Sequence, residues 1–200
     1  WARHSGCRDT GTSLYLMNDY SIILIIISSY LIGSISGGVI VGKIKNTDIR
    51  KKGSKAAGAT NAFRTMGTIF ALTVLIIDVY KGYFVVEYIP SLLNNDTNTI
   101  KALAGIMCIL GHAYPLYFKF KGGKGVGTAL GALIAFPKML PLIGVAFASW
   151  IVILIITGYV GLSSILATLF VPILYILTKE TICDELGVSS LIISLFIIFT

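Results

Sequence analysis

The chain has 200 residues, 56% hydrophobic and 12% charged, with a mean hydropathy of +0.87. That balance is too apolar for a soluble domain of this length and makes a bilayer the natural solvent. The net charge of +7 does not point to nucleic acid, because the basic residues sit in short loops between apolar runs, where the loop cations of membrane proteins sit.

Residues 1–16 (WARHSGCRDTGTSLYL) are polar, lack an initiator Met and lack the basic-then-apolar order of a signal peptide. They read as a leader foreign to the native protein, which would start at Met17. A first span is expected over residues 21–41, and its stretch GSISGG lets neighbouring helices approach closely. A basic segment covers 43–64. The second span, 68–89, contains Asp78 and Lys81, charges that are costly in hydrocarbon unless paired. At i and i+3 they share one helix face and can pair. A polar turn at 94–98 leads to a third span over 100–117, with His112 and Pro115 near its end, and then to a glycine-rich loop over 118–125. A short span at 126–136 follows, then 139–160 and 162–177, then a polar stretch at 178–187. The run from 191 stops after about half the length a membrane helix needs, so the seventh span reads as truncated.

The expected fold is an all-α integral membrane protein, a polytopic helical bundle of about seven spans. Residues 17–200 form one domain, since no repeat, low-complexity tract or linker divides them. Cys7, Cys108 and Cys183 are widely spaced and form no ligand pattern with His4 and His112, so no metal site is expected. Two crossings separate the basic segment from the glycine-rich loop, which puts both on one side of the membrane. That side carries Lys43, Lys45, Arg50, Lys51, Lys52, Lys55, Arg64, Lys119, Lys121 and Lys124, 10 cations. The other carries 3, Lys101, Lys138 and Lys179, once the leader is set aside. The loops therefore face the cytoplasm and the N-terminus lies outside.

Two constellations carry chemistry. The first runs from Gly53 through Ser54, Gly58, Thr60 and Asn61 to Arg64, gathering small residues, hydroxyls, an amide and a guanidinium. Small residues let backbone N–H groups approach an oxyanion, and a guanidinium grips phosphate with two parallel hydrogen bonds. A plain surface loop obeying the positive-inside rule accounts for the same composition about as well. The second runs from Gly111 and His112 to Gly122, Gly123, Lys124 and Gly125 and sets a cation among glycines at the entrance to a span. It lacks the spacing of a nucleotide P-loop. By itself His112 reads more simply as a helix-end histidine, whereas a lysine flanked by glycines has no helix-stabilising purpose.

Taken in order, GS-x-x-x-GATN-x-x-R, then D-x-x-KG, then LGH-x-x-P-x-x-x-x-F-K-GGKGV resemble the bacterial acyl-phosphate:glycerol-3-phosphate acyltransferase family, known as PlsY. The resemblance extends over about residues 30–164. It implies a seven-span fold in the inner membrane and a cytoplasm-facing site for two phosphorylated substrates, acyl phosphate and glycerol 3-phosphate. Neither coenzyme A nor a metal or other cofactor is implied, and membrane lipid is the surrounding partner. By match to the family's motifs, Ser54, Arg64 and Lys124 are the principal catalytic residues. Gly58, Thr60, Asn61 and His112 are expected to bind substrate, and Gly122, Gly123 and Gly125 to contact phosphate through their backbone.

The chain departs from the family pattern at three places. The family reads G-S-G-N where this chain has Gly53-Ser54-Lys55-Ala56, and Gly161 stands where the family usually has a serine. The family's third motif would begin beyond Thr200. Two other readings compete. A small membrane transporter or channel for an anionic solute would use Asp78 and Lys81 as pathway residues, but the apolar segments show no inverted repeat. The pair His4-x-x-x-x-Asp9 matches the spacing of a different acyltransferase class, but it lies in the leader without that class's later motif.

Overall fold

The computed structural model describes residues 10–178 and 185–199, with side chains over 19–178 and 186–199. The His4/Asp9 pair, most of the leader, Cys183 and Lys179 lie outside the described residues. All regular structure among the described residues is helical. In chain order the helices are α1 (Thr10–Gly33), α2 (Gly37–Ile44), α3 (Ala59–Met66), α4 (Thr68–Leu92) and α5 (Asn98–Ala113). They continue with α6 (Val126–Ile134), α7 (Leu140–Thr157), α8 (Val160–Leu177) and α9 (Glu185–Phe199).

Five stretches are long and apolar enough to cross a bilayer: Asp19–Ile44, Thr68–Leu92, Asn98–Phe118, Pro137–Thr157 and Val160–Leu177. The expected short span at 126–136 is instead a helix of 9 residues, α6. At 1.5 Å per residue it is about 14 Å long, roughly half of a bilayer's hydrocarbon core. The outer surface is apolar, with Ile69 77% and Ile155 78% exposed. In α7 only Leu142 and Ala146 are buried, so this helix turns most of its surface outward, as a lipid-facing helix does.

Lipid tails are as apolar as leucine, so burial between helices is driven by close packing and hydrogen bonds. Small residues supply that packing. Helix α1 meets α5 where Gly33 lies against the Cys108 carbonyl and Gly111 against the Tyr30 carbonyl, contacts that a Cβ would block. Helix α4 meets α6 in the same way at Gly82 and Gly131. A core of Val86, Ile109, Leu133, Met139, Tyr175 and Ile197 then ties α4, α5, α6, α8 and α9 together.

Asp78 and Lys81 form the expected pair, with Nζ 2.9 Å from Oδ1 and both residues buried. Lys81 also donates to the carbonyl of Ile35, in the break between α1 and α2, at 2.8 Å. The ammonium thus fastens α4 to the first span, and the charge has oxygen partners in place of water.

Candidate active site

The two glycine-rich loops meet at one end of the bundle. In the first loop the Asp48 carboxylate caps a short 3₁₀ turn, Ile49–Lys51, by accepting the Arg50 N–H at 3.0 Å. The Arg50 guanidinium grips both oxygens of Asp48, each at 3.0 Å. That hydrogen bonding holds the Asp48 carboxyl below its usual pKa. Arg50 then reaches the second loop, donating to the Phe118 carbonyl at 3.1 Å and covering the Phe118 ring at 5.6 Å. The loops are also joined directly, Ala57 N–H to Gly122 carbonyl, at 3.0 Å.

Asn61 organises the first loop from within. Its Nδ2 donates toward the carbonyls of Ile49, Lys52 and Ala56 at 2.8, 3.1 and 2.9 Å, and its Oδ1 accepts the Ser54 N–H at 2.9 Å. Asn61 borders the site but is 1% exposed, and its carboxamide is fully engaged in bracing the loop. Asn61 thus borders the pocket as expected, and its side chain also shapes the loop that presents Ser54.

Gly122 and Gly123 require a correction. The Gly122 N–H donates to the Ala113 carbonyl at 3.1 Å and the Gly123 N–H to the His112 carbonyl at 3.2 Å. Both amides are therefore committed to protein and are not free for phosphate. These positions are glycine because a Cβ would strike the His112 and Ala113 carbonyls at Gly122 and the His112 ring at Gly123. Gly125 differs. It adopts φ +80, a left-handed conformation that glycine takes without strain, and turns the chain into α6.

Helices α3 and α6 both begin here, at Gly58 and Gly125, and neither has a side-chain cap. Their first N–H groups lack intrahelical acceptors and carry the positive end of the helix dipole, which suits an anion. Ser54, Gly58, Thr60, Arg64, Lys124 and Gly125 line the mouth of a cavity of about 610 Å³. Among the described residues no carboxylate pairs with Arg64 or Lys124, whereas Arg50, Lys81 and Lys101 are all paired. The mouth therefore holds uncompensated positive charge.

From the mouth the cavity continues between α4, α6, α7, α8 and α9, along Leu75, Leu130, Leu133, Phe147, Trp150, Val171 and Ile193. In its wall Trp150 Nε1–H donates to Ser164 Oγ at 3.2 Å. Gly161 also lines the cavity and has open space where a Cβ would be. His112 and Asp78 reach the wall beside the mouth, and His112 Nδ1 lies 2.8 Å from Lys81 Nζ. No group of three or more His, Cys, Asp or Glu gathers as metal ligands among the described residues.

Of the residues singled out from sequence, Ser54, Gly58, Thr60, Asn61, Arg64, His112, Lys124 and Gly125 border one cavity, while Gly122 and Gly123 stand behind it. Sequence reasoning missed the uncapped starts of α3 and α6, although Gly58 and Gly125 are fit signals for helix boundaries. It also missed the apolar wall supplied by α7, α8 and α9, and the contact of His112 with Lys81.

Fold and cavity together define an integral membrane protein whose binding space is amphiphilic, a cationic mouth opening on an apolar interior. The chain belongs to the glycerol-3-phosphate acyltransferase family, which matches it over residues 23–200. It is 43% identical over 164 residues to the glycerol-3-phosphate acyltransferase of Aliivibrio salmonicida, covering 82% of each chain. Identity to the Bacillus subtilis enzyme of that name is 41% over 161 residues, covering 80% of this chain and 81% of that one. The fold is similar to crystal structures of PlsY (YgiH), an integral membrane glycerol 3-phosphate acyltransferase. Its glycerol 3-phosphate form superposes with a TM-score of 0.80 at 32% identity, covering 90% of this chain and 87% of the other. Its lysophosphatidic acid form gives 0.78 at 31% identity, with the same coverage.

Proposed function

We propose that this chain transfers a fatty acyl group from acyl phosphate to the sn-1 hydroxyl of glycerol 3-phosphate, giving lysophosphatidate and inorganic phosphate. The observation that carries the proposal is the continuity of one cavity, from Arg64 and Lys124 at its mouth, without a carboxylate partner among the described residues, to the apolar wall of α6–α9. An acyl phosphate has that form, a doubly charged head on an apolar tail. The relatives bearing the name glycerol-3-phosphate acyltransferase, and the solved PlsY in glycerol 3-phosphate and lysophosphatidic acid forms, support the acceptor and the product.

The donor is a mixed anhydride and already activated, so the protein's work is positioning and charge stabilisation. The glycerol hydroxyl oxygen attacks the acyl carbonyl carbon, the bond from that carbon to the phosphate oxygen breaks, and phosphate leaves with the electron pair. The departing phosphate takes the hydroxyl proton. Arg64 and Lys124 balance the charge that grows on the leaving oxygen, and the Ser54 hydroxyl donates to it. The free N–H groups at Gly58, Thr60 and Gly125 hold phosphate oxygens. A site that faces the cytoplasm of the bacterial inner membrane is supported by the cations of the two loops that form it and by the junction of those loops. Asp78 and Lys81, which a transporter would use as pathway residues, bind one another.

The test is phosphate release by the purified full-length protein in detergent. Release should require both acyl phosphate and glycerol 3-phosphate, with lysophosphatidate detected by mass spectrometry. Release with acyl phosphate alone would make it a hydrolase. Transfer from acyl-coenzyme A in its place would overturn the donor assignment.

A further inference from the structure

We propose that Lys81 is a positioning residue: held by Asp78 and the Ile35 carbonyl, it fixes His112 as the tautomer with its proton on Nε2, so that the ring donates to a substrate phosphate oxygen and cannot act as a base. The inference rests on the acyltransferase reading above, whose substrates supply that oxygen.

Lys81 Nζ has three close neighbours, Ile35 O at 2.8 Å, Asp78 Oδ1 at 2.9 Å and His112 Nδ1 at 2.8 Å. The first two can only accept. An ammonium has three protons and no lone pair, so its third proton faces Nδ1, and Nδ1 must accept. A neutral imidazole that accepts at Nδ1 carries its proton on Nε2. The competing arrangement, Nδ1–H donating to Asp78, meets a separation of 3.4 Å from an oxygen that already accepts from Lys81. The shorter contact decides the tautomer.

Nε2 is on the far side of the ring. It lies against Gly123, beside the Gly58 amide, and His112 lines the cavity with Lys124 and Gly58. The ring is 3% exposed, and among the described residues no protein acceptor reaches Nε2. A donor on the cavity wall without a protein acceptor is open to an anion held at the mouth. Gly123 then has a second reason to lack a side chain, because a Cβ there would cover Nε2. With one nitrogen protonated and the other engaged by Lys81, the neutral ring has no lone pair to receive the glycerol hydroxyl proton. That agrees with the phosphate taking it.

The tautomer can be read with no substrate present. In a protein labelled with nitrogen-15 histidine, the resonances assigned to His112 by their loss in His112→Gln should show a pyridine-like Nδ1 and a pyrrole-like Nε2 in detergent. Inorganic phosphate should then shift Nε2 more than Nδ1. In the charge-neutral Asp78→Asn/Lys81→Met protein the single tautomer should give way to a mixture. Should that variant not fold, two others carry the test, since glutamine places an amide N–H near the position of Nε2 and asparagine near that of Nδ1. His112→Gln should keep at least about a tenth of the turnover, and His112→Asn should lose about 100-fold, the effect of removing one preorganised donor. A protonated Nδ1 in the parent protein overturns the inference, as does an equal loss in both variants. A protein that shows the Nε2–H tautomer but transfers no acyl group would leave the positioning by Lys81 standing and sink the acyltransferase reading.

Discussion

The Ala57 amide donates to the Gly122 carbonyl at 3.0 Å, a bond between two loops that are separated in the chain by α4 and α5. It holds the two uncapped helix starts in one place and depends on Gly122 lying flat against the end of α5. Gly122→Ala should push a methyl group into the His112 and Ala113 carbonyls and destabilise the protein by about 1–3 kcal/mol. Thermal unfolding in detergent measures it, with Gly144→Ala as the control. Gly144 lies inside α7 with nothing within 4 Å of its added Cβ, so that change should be neutral or stabilising by up to about 1 kcal/mol. Equal melting shifts in the two variants would disprove the packing account.

Lys124 lies at the cavity mouth without a carboxylate partner among the described residues. Lys124→Ala should reduce turnover by about two to three orders of magnitude at saturating acyl phosphate and glycerol 3-phosphate, with folding checked by size exclusion. Lys124→Arg should recover only part, since a planar fork on a longer stem does not replace a compact charge. A folded alanine variant that keeps more than about a tenth of the turnover would remove Lys124 from the chemistry.

Lys55 has φ +61, a left-handed conformation. Glycine takes this conformation with no clash of Cβ with the backbone. Relief of strain of about 1–2 kcal/mol is partly offset by the greater flexibility of glycine. Lys55→Gly should therefore raise stability by up to about 1 kcal/mol, read as a higher melting temperature. A lower melting temperature would mean that the lysine side chain itself stabilises the loop.

Asp78 and Lys81 are buried and mutually bonded, so Asp78→Ala leaves an ammonium without its carboxylate. A loss of about 3–5 kcal/mol is expected, read as a reduced yield of folded protein. The double change with Lys81→Ala should recover part of that yield while turnover stays low, because His112 has lost its anchor. Full recovery of activity in the double variant would reduce the pair to a structural role.

Asp48 has its pKa lowered from 3.8, first by its hydrogen bond from the Arg50 side chain. A carboxyl depressed in the folded state stabilises at pH above its unfolded value, and the contribution disappears as pH falls through the lowered folded value. Acid should therefore loosen the loop junction below about pH 4, and Arg50→Gln should flatten that part of the melting profile. An unchanged profile in Arg50→Gln would show that the pair adds nothing to the loop.

Much of this protein is written locally in its chain. Hydropathy alone makes it a membrane protein, and the i, i+3 spacing of Asp78 and Lys81 announces their pairing, because one helix face is fixed by 3.6 residues per turn. The motifs around Ser54, Arg64 and Lys124 carry the family, since residue types and spacing are enough for that. The glycines show the limit of such reading. Sequence marks Gly122, Gly123 and Gly125 alike as candidates for phosphate, yet whether an amide is free depends on which carbonyl lies opposite, and only the folded loops supply those of Ala113 and His112. The same holds for Asn61, whose partners are backbone carbonyls gathered by a turn. It holds most for His112, whose ring is met by a lysine from another helix at 2.8 Å. Helix crossings set by close glycine contacts bring these groups together, and a crossing is a property of two surfaces that no single stretch of sequence contains.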